Sequence, residues 1–130
     1  MKEETRFILK PSVIEGVGVF TKSHLPKGLV LEILEGSDDK HTRFVSVEEA
    51  KKDVGLFEMC ERYGVLTKNG YWCPADFCHI HIGWYINHST NPNVGTIDRI
   101  VYKTLKEILP GEELVMDYKT LDEDIDNSIL

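Results

Sequence analysis

The sequence has 130 residues and a formal net charge of −7, with 42% hydrophobic and 9% aromatic residues. This composition predicts one globular domain with one modest core and excludes a disordered chain. The acidic balance argues against direct contact with nucleic-acid phosphates, and no apolar run is long enough to cross a membrane.

The acidic residues concentrate near the end of the sequence, where seven carboxylates from Glu112 onward stand against one base, Lys119. Such a region favours a basic partner, for example a lysine-rich peptide, although a solvated tail has the same composition. The three cysteines do not form the even set of a disulfide framework, and the charged start is unlike a secretory signal. We therefore expect a reducing intracellular location, cytoplasmic or nuclear.

Short strands and tight turns are predicted for the first part of the chain. Arg6–Lys10 and Leu29–Leu34 have strand composition, with a turn at Leu25–Gly28. Between them, Gly16-Val17-Gly18 precedes an apolar run. Glycines let the backbone approach a ligand closely, although most such pairs are turns. Because strands and helices do not alternate here, a dinucleotide-binding unit is not indicated.

The stretch 37–70 differs in character and is interpreted as a variable insert. Ser46 and Glu49 form a capping-box pair, which predicts a short helix directly after Ser46. Gly55 is expected to end or bend that helix, and a second helical turn is predicted around Phe57–Tyr63.

Strand character returns at Tyr71-Trp72-Cys73, and a strand pair is predicted across Thr96–Thr104. Before that pair, Gly83–Ile86 is apolar, and the polar run Asn87–Asn93 follows. A buried segment that ends in Asn-His-Ser places hydrogen-bonding groups where a ligand can meet them. The alternative is an ordinary strand followed by an Asn-Pro turn.

Cys73, Cys78, His79 and His81 lie within nine positions, with Cys60 upstream. Structural zinc sites usually join two separated, closely spaced ligand pairs, and no second pair follows these residues. Buried cysteines and polar histidines are therefore the preferred interpretation, and no metal is expected.

Three stretches, taken in order, resemble the motifs of the SET-domain family, which consists mainly of protein-lysine methyltransferases. They are Gly16-Val17-Gly18-Val19-Phe20 through Pro26-Lys27-Gly28, then Ile86-Asn87-His88-Ser89-x-x-Pro92-Asn93, then Gly111-Glu112-Glu113-Leu114-x-x-Asp117-Tyr118. The resemblance implies a mostly β fold with short helices, built from small antiparallel sheets with a C-terminal pseudoknot. It also implies one domain over 1–130, with 37–70 as the family's variable insert and 119–130 as a short acidic tail.

The resemblance further implies roles for individual positions. Tyr118 is expected at the point of methyl transfer. The residues expected to bind S-adenosylmethionine are Gly16, Val17, Gly18, Tyr85, Asn87 and His88. The residues expected to line the lysine channel are Tyr71, Trp72 and Met116, with Tyr85 also serving as a wall.

The chain departs from the family pattern at several positions. Trp84-Tyr85 stands where many members have Arg-Phe, and Thr90 stands where many have cysteine. No cysteine follows Cys78, so both halves of the family's C-terminal zinc site are missing. The last dozen residues or a second subunit must then close the site, which predicts a homodimer as one solution.

Two functions follow from these motifs. The first is methyl transfer from S-adenosylmethionine to a lysine side chain of a histone tail or another lysine-rich protein. The alternative is a SET-like, non-catalytic module that binds a basic peptide or the cofactor. Asn87, His88 and Tyr118 favour the enzyme, whereas the missing arginine and the missing closing segment favour the module.

Overall fold

The computed structural model describes residues 3–33, 42–96 and 101–121. Within these ranges the chain forms short strands and a few short helices. The helices are α1 Glu3–Arg6, α2 Val47–Lys51 and α3 Val54–Tyr63, and 3-10 turns span Ile82–Tyr85 and Tyr118–Leu121. The strands are β1 Phe7–Pro11, β2 Val17–Thr21, β3 Thr42–Ser46, β4 Val65–Leu66, β5 Gly70–Pro74, β6 Asn87–His88, β7 Val94–Gly95, β8 Lys103–Thr104 and β9 Val115–Met116.

The first sheet is the antiparallel hairpin of β1 and β2, paired from Phe7 opposite Thr21 to Pro11 opposite Val17. The predicted first strand is confirmed to within one residue. It extends through Pro11, which a strand at the edge of a sheet tolerates because its missing N–H faces no partner.

The second sheet, in the order β3-β5-β4, carries helices α2 and α3. The Oγ atom of Ser46 accepts a hydrogen bond from the N–H of Glu49 at 3.1 Å, which confirms the predicted helix start. The prediction for Gly55 was wrong. The first helix ends at Lys51, and the Asp53 side chain begins a new helix by accepting from the N–H of Gly55.

The predicted strand Leu29–Leu34 is not a regular strand in its described part. Val30 forms an isolated bridge to Lys103, and residues 32 and 33 lie in a turn. Leu31 and Ile33 are nevertheless buried in the main core. The apolar run therefore reflected burial, which periodicity cannot distinguish from strand pairing.

The third sheet is mixed, in the order β6-β9-β7-β8. Strand β9 is parallel to both β6 and β7, whereas β7 and β8 are antiparallel. The predicted strand pair at Thr96–Thr104 begins earlier than expected, at Val94, and Ile97 and Ile100 fall outside the described residues. A late strand thus lies between two earlier ones, an arrangement consistent with the crossing that the resemblance to the SET-domain family implies.

Two groups of buried side chains hold the described part together. The main core is Phe7, Val19, Leu25, Leu31, Ile33, Ile86, Val94, Tyr102, Ile108, Leu114 and Met116. The second is Val45, Ala50, Cys60, Tyr71 and Cys73, beneath the insert helices. Among the described residues, none of the helices has the length and apolar character to span a bilayer.

Candidate active site

Asn87 is fixed at the start of β6, directly after the buried Ile86. Its Nδ2 atom donates to Glu113 Oε2 at 2.8 Å and to the carbonyl oxygens of Glu15 and Val17 at 3.2 Å each. The two motif stretches that contain Gly16 and Asn87 are therefore brought together by direct hydrogen bonds.

His88 and Tyr118 form the second contact between motif stretches. The backbone N–H of Tyr118 donates to His88 Nδ1 at 3.0 Å, and the two rings lie 5.3 Å apart. A nitrogen that accepts a hydrogen bond must carry a lone pair, so Nδ1 is unprotonated and the ring proton belongs on Nε2. The 3.8 Å approach of Asp117 Oδ1 to the same nitrogen is then not an ion pair.

The Tyr118 hydroxyl donates to the carbonyl oxygen of Ile86. Burial raises the pKa of Tyr118 to about 12, and the charge of Glu15 acts in the same direction. The hydroxyl is therefore protonated at neutral pH, and its proton is donated to the Ile86 carbonyl oxygen. The hydroxyl oxygen can therefore only accept a hydrogen bond from a ligand.

A cavity of about 330 Å³ opens beside these groups. Its size falls in the range of small-molecule sites. Of the residues expected to be functional, Gly16, Val17, Tyr85, Asn87 and Tyr118 line it. The other lining residues are Glu15, Glu61, Arg62, Tyr63, Gly64, Val65 and Trp84.

Gly18 and His88 are not part of the cavity lining, although both contact residues that are. A Cβ atom on Gly18 would lie 3.1 Å from Asn87 Nδ2. His88 is exposed and contacts the site through Tyr118.

Tyr85, also expected as a channel wall, lines this cavity, but the other residues expected in the lysine channel do not. Tyr71 is buried in the second core, where its hydroxyl donates to Glu61 Oε1 at 2.6 Å and this bond raises the pKa of Tyr71 to about 12. Trp72 packs edge-to-face against Phe44 at 5.4 Å, and Met116 is buried in the main core. Their place in a lysine channel stays a prediction.

Helix α3 supplies cavity residues that the sequence analysis did not single out. Glu61, Arg62 and Tyr63 come from its last turn, and Tyr63 packs edge-to-face on Tyr85 at 6.0 Å. A second helical turn was predicted around Phe57–Tyr63, but nothing in the sequence indicated that its end would pack against Tyr85.

The cysteines and histidines do not assemble into a cluster. Cys60 and Cys73 are buried with their Sγ atoms 3.7 Å apart, and burial raises the pKa of the Cys73 thiol. Cys78 is exposed, and His79 pairs with Asp76 at the surface. Within the described ranges, no group of three or more metal-binding side chains comes together.

Comparison with known proteins places this geometry in context. The sequence model of the SET domain matches residues 16–119. A protein of Plasmodium falciparum, named a putative histone methyltransferase, has a similar crystal structure with a TM-score of 0.55 and 22% sequence identity. That similarity covers 87% of this chain and 92% of the other, and it concerns the fold. No curated protein matches the sequence.

Proposed function

The chain belongs to the SET-domain family, and we propose that it catalyses methyl transfer from S-adenosylmethionine to a lysine side chain of a basic protein. The family consists mainly of protein-lysine methyltransferases, which act on protein substrates. The observation that carries the proposal is that Tyr118 and Asn87, from two different motifs, line the same cavity.

The cavity residues fit S-adenosylmethionine in size and charge. Asn87 Oδ1 has no partner among the described residues and can accept from an amino group. The charged lining residues are Glu15, Glu61 and Arg62, so the lining carries a net negative charge, which favours a ligand with a positive sulfonium. Gly16 and Val17 would contact it through the backbone, and Tyr85 through its ring. When bound, S-adenosylmethionine supplies the methyl group from that sulfonium centre.

Tyr118 is suited to orienting a lysine amine rather than to removing its proton. Its hydroxyl oxygen can accept a hydrogen bond from the amine because its own proton is donated to Ile86. A neutral tyrosine is a poor base, and reaching a neutral lysine at pH 7 from a reference pKa of ~10.4 costs roughly 4–5 kcal/mol. An apolar channel and a nearby positive charge reduce that cost by disfavouring the ammonium form.

One observation favours the alternative of a binding module without turnover. Tyr71 and Met116, expected in the lysine channel, are buried in the two cores. A protein that binds the cofactor but has no open channel would hold it without transferring the methyl group.

Incubation with radiolabelled S-adenosylmethionine and a set of basic proteins, including core histones and lysine-rich ribosomal proteins, separates these functions. We expect label on lysine side chains, identified by mass spectrometry of the labelled protein. Cofactor binding by calorimetry without label on any basic protein would support the module instead. The intracellular location and the lack of direct nucleic-acid binding stay predictions from the sequence.

A further inference from the structure

We propose that Glu113 is a positioning residue that holds Asn87 and the loop before β2 in the arrangement that binds the cofactor. This inference rests on the proposed function, because it assigns the cavity to S-adenosylmethionine. It concerns a carboxylate that does not line the cavity and that no step of the transfer uses directly.

The Glu113 carboxylate joins two distant parts of the chain. Ser12 Oγ donates to Oε1 at 2.7 Å and lies 3.0 Å from Oε2, and Asn87 Nδ2 donates to Oε2 at 2.8 Å. These partners are 101 and 26 residues away along the sequence. Hydrogen bonds to an ionised acceptor are about twice as strong as neutral ones, so Glu113 provides the strongest restraint on Asn87.

This restraint determines which atom Asn87 presents to the cavity. Its Nδ2 atom faces three acceptors of the protein, namely Glu113 Oε2 and the carbonyl oxygens of Glu15 and Val17. The amide is thereby oriented with its donor towards the protein and its acceptor, Oδ1, free for a ligand. Without Glu113, only the two longer bonds at 3.2 Å remain to hold this orientation.

The same carboxylate accounts for a second feature of the sequence, the glycine at position 18. A Cβ atom added to Gly18 would lie 2.2 Å from Glu113 Oε2 and 2.7 Å from its Cδ. The space of a methyl group is thus occupied by the carboxylate. Because the carboxylate is the far end of a flexible side chain, we expect Gly18→Ala to displace it from Asn87 without removing its charge. The same Cβ would lie 3.1 Å from Asn87 Nδ2, a tight contact that also acts on the amide.

The Ser12 contact extends the restraint to the loop between β1 and β2. Ser12 Oγ also accepts from the N–H of Ile14 at 3.0 Å, and Ser12 N–H donates to the carbonyl of Gly16 at 2.9 Å. The backbone of Glu113 is itself fixed, since its carbonyl accepts from Asn93 Nδ2 at 2.9 Å. The loop is therefore tied to a rigid segment five positions before Tyr118.

The test measures cofactor Kd by calorimetry, kcat at saturating cofactor, and thermal unfolding for four single variants. Glu113→Ala is expected to weaken cofactor binding by about tenfold, the loss of one well-made polar contact, while kcat falls by less than about threefold. Glu113→Gln should recover most of the affinity, because its amide can accept from Asn87 and donate to Ser12.

Gly18→Ala should weaken binding as Glu113→Ala does, and the double variant should be no worse than Glu113→Ala alone, since both remove the same contact. Glu112→Ala is the matched control. Glu112 is exposed and accepts from the N–H of Leu109 in the adjacent turn at 3.0 Å, so its loss should leave Kd unchanged.

A folded Glu113→Ala protein with wild-type Kd would overturn the inference and leave the proposed function intact. If that variant does not fold, wild-type affinity in Gly18→Ala would overturn it equally. A wild-type protein that does not bind S-adenosylmethionine would overturn both the proposed function and this inference. A positioning role would also be contradicted if Glu113→Ala and Glu113→Gln each lowered kcat by the same factor as the cofactor affinity.

Discussion

At the scale of single residues, Tyr118 is a tyrosine whose hydroxyl donates within the protein and can still accept from a substrate amine. Tyr118→Phe keeps the ring and its packing, so the free energy of unfolding should change by only about 1 kcal/mol. Methyl transfer should fall by a factor on the order of a hundred or more, as when a preorganised polar contact is lost. Single-turnover transfer of labelled methyl groups measures this effect.

Tyr102→Phe is the matched control for that change, because Tyr102 is buried in the main core and does not line the cavity. It should keep normal turnover. A Tyr118→Phe protein that transfers methyl groups at a near-normal rate would leave Tyr118 with a structural role alone.

The family motifs predicted some of the residues that line the cavity, but Gly18 and His88 of the same motifs do not line it. Asn87 and Tyr118, whose roles the resemblance to the SET-domain family implied, both line the cavity. Glu61 and Tyr63 could not be assigned, because their position depends on where α3 ends against the 3-10 turn Ile82–Tyr85. Tyr71 shows the opposite difficulty, since an aromatic residue beside apolar neighbours has the same pattern in a core and in a channel wall.

At the scale of elements, helix α3 depends on its first turn. Asp53 Oδ1 accepts from the N–H groups of Gly55 and Leu56 at 2.9 and 3.3 Å. Asp53→Ala leaves both groups without this partner and should lower the free energy of unfolding by about 1 kcal/mol. Asp53→Asn keeps an oxygen acceptor and should be nearly neutral. Urea unfolding compares the three proteins, and equal stability of the alanine variant would contradict the capping role.

The second sheet contains a close approach that only glycine permits. A Cβ atom on Gly70 would lie 2.4 Å from the carbonyl oxygen of Val45, a backbone atom of the paired strand. Because the backbone cannot move away cheaply, Gly70→Ala should destabilise the protein by about 2 kcal/mol or more.

Gly55→Ala is the control, since its nearest neighbour would be Asp53 Oδ1 at 3.4 Å. In a helix, alanine is favoured over glycine by about 1 kcal/mol, so this variant should be neutral or more stable. Thermal unfolding of both variants in parallel measures the difference. A Gly70→Ala protein as stable as the Gly55→Ala protein would contradict the close packing of β3 and β5.

The ends of helices and strands were predictable where the signal is local, and their prediction failed where a strand pairs with a distant part of the chain. The Ser46 cap and the β1 strand are encoded within a few neighbouring residues, and both were confirmed. Strands of two residues, such as β6 and β9, are too short to carry a hydrophobic period. Their existence depends on partners elsewhere in the chain.

At the scale of the whole molecule, dimer formation stays a prediction from the missing zinc-bound closing segment. Apolar side chains are exposed along β1 and the loop that follows it, next to the cavity residue Val17. They are Ile8, Leu9, Val13 and Ile14. We expect a dimer at micromolar concentration in sedimentation experiments, and Ile8→Lys should shift it towards monomer because a charge disfavours an apolar interface. A wild-type monomer with full activity would contradict the prediction.

The position of β9 between β6 and β7 has a consequence for how the protein opens and closes. Amide hydrogens on both sides of β9 are held by it, since Ser89 N–H donates to the Met116 carbonyl and Asn93 N–H donates to the Val115 carbonyl. Withdrawing this one strand would release both neighbouring segments together. Native-state hydrogen exchange should therefore give Ser89 and Asn93 the same opening free energy, close to that of global unfolding. A nascent chain can form these pairings only after the segment around Val115 has been synthesised.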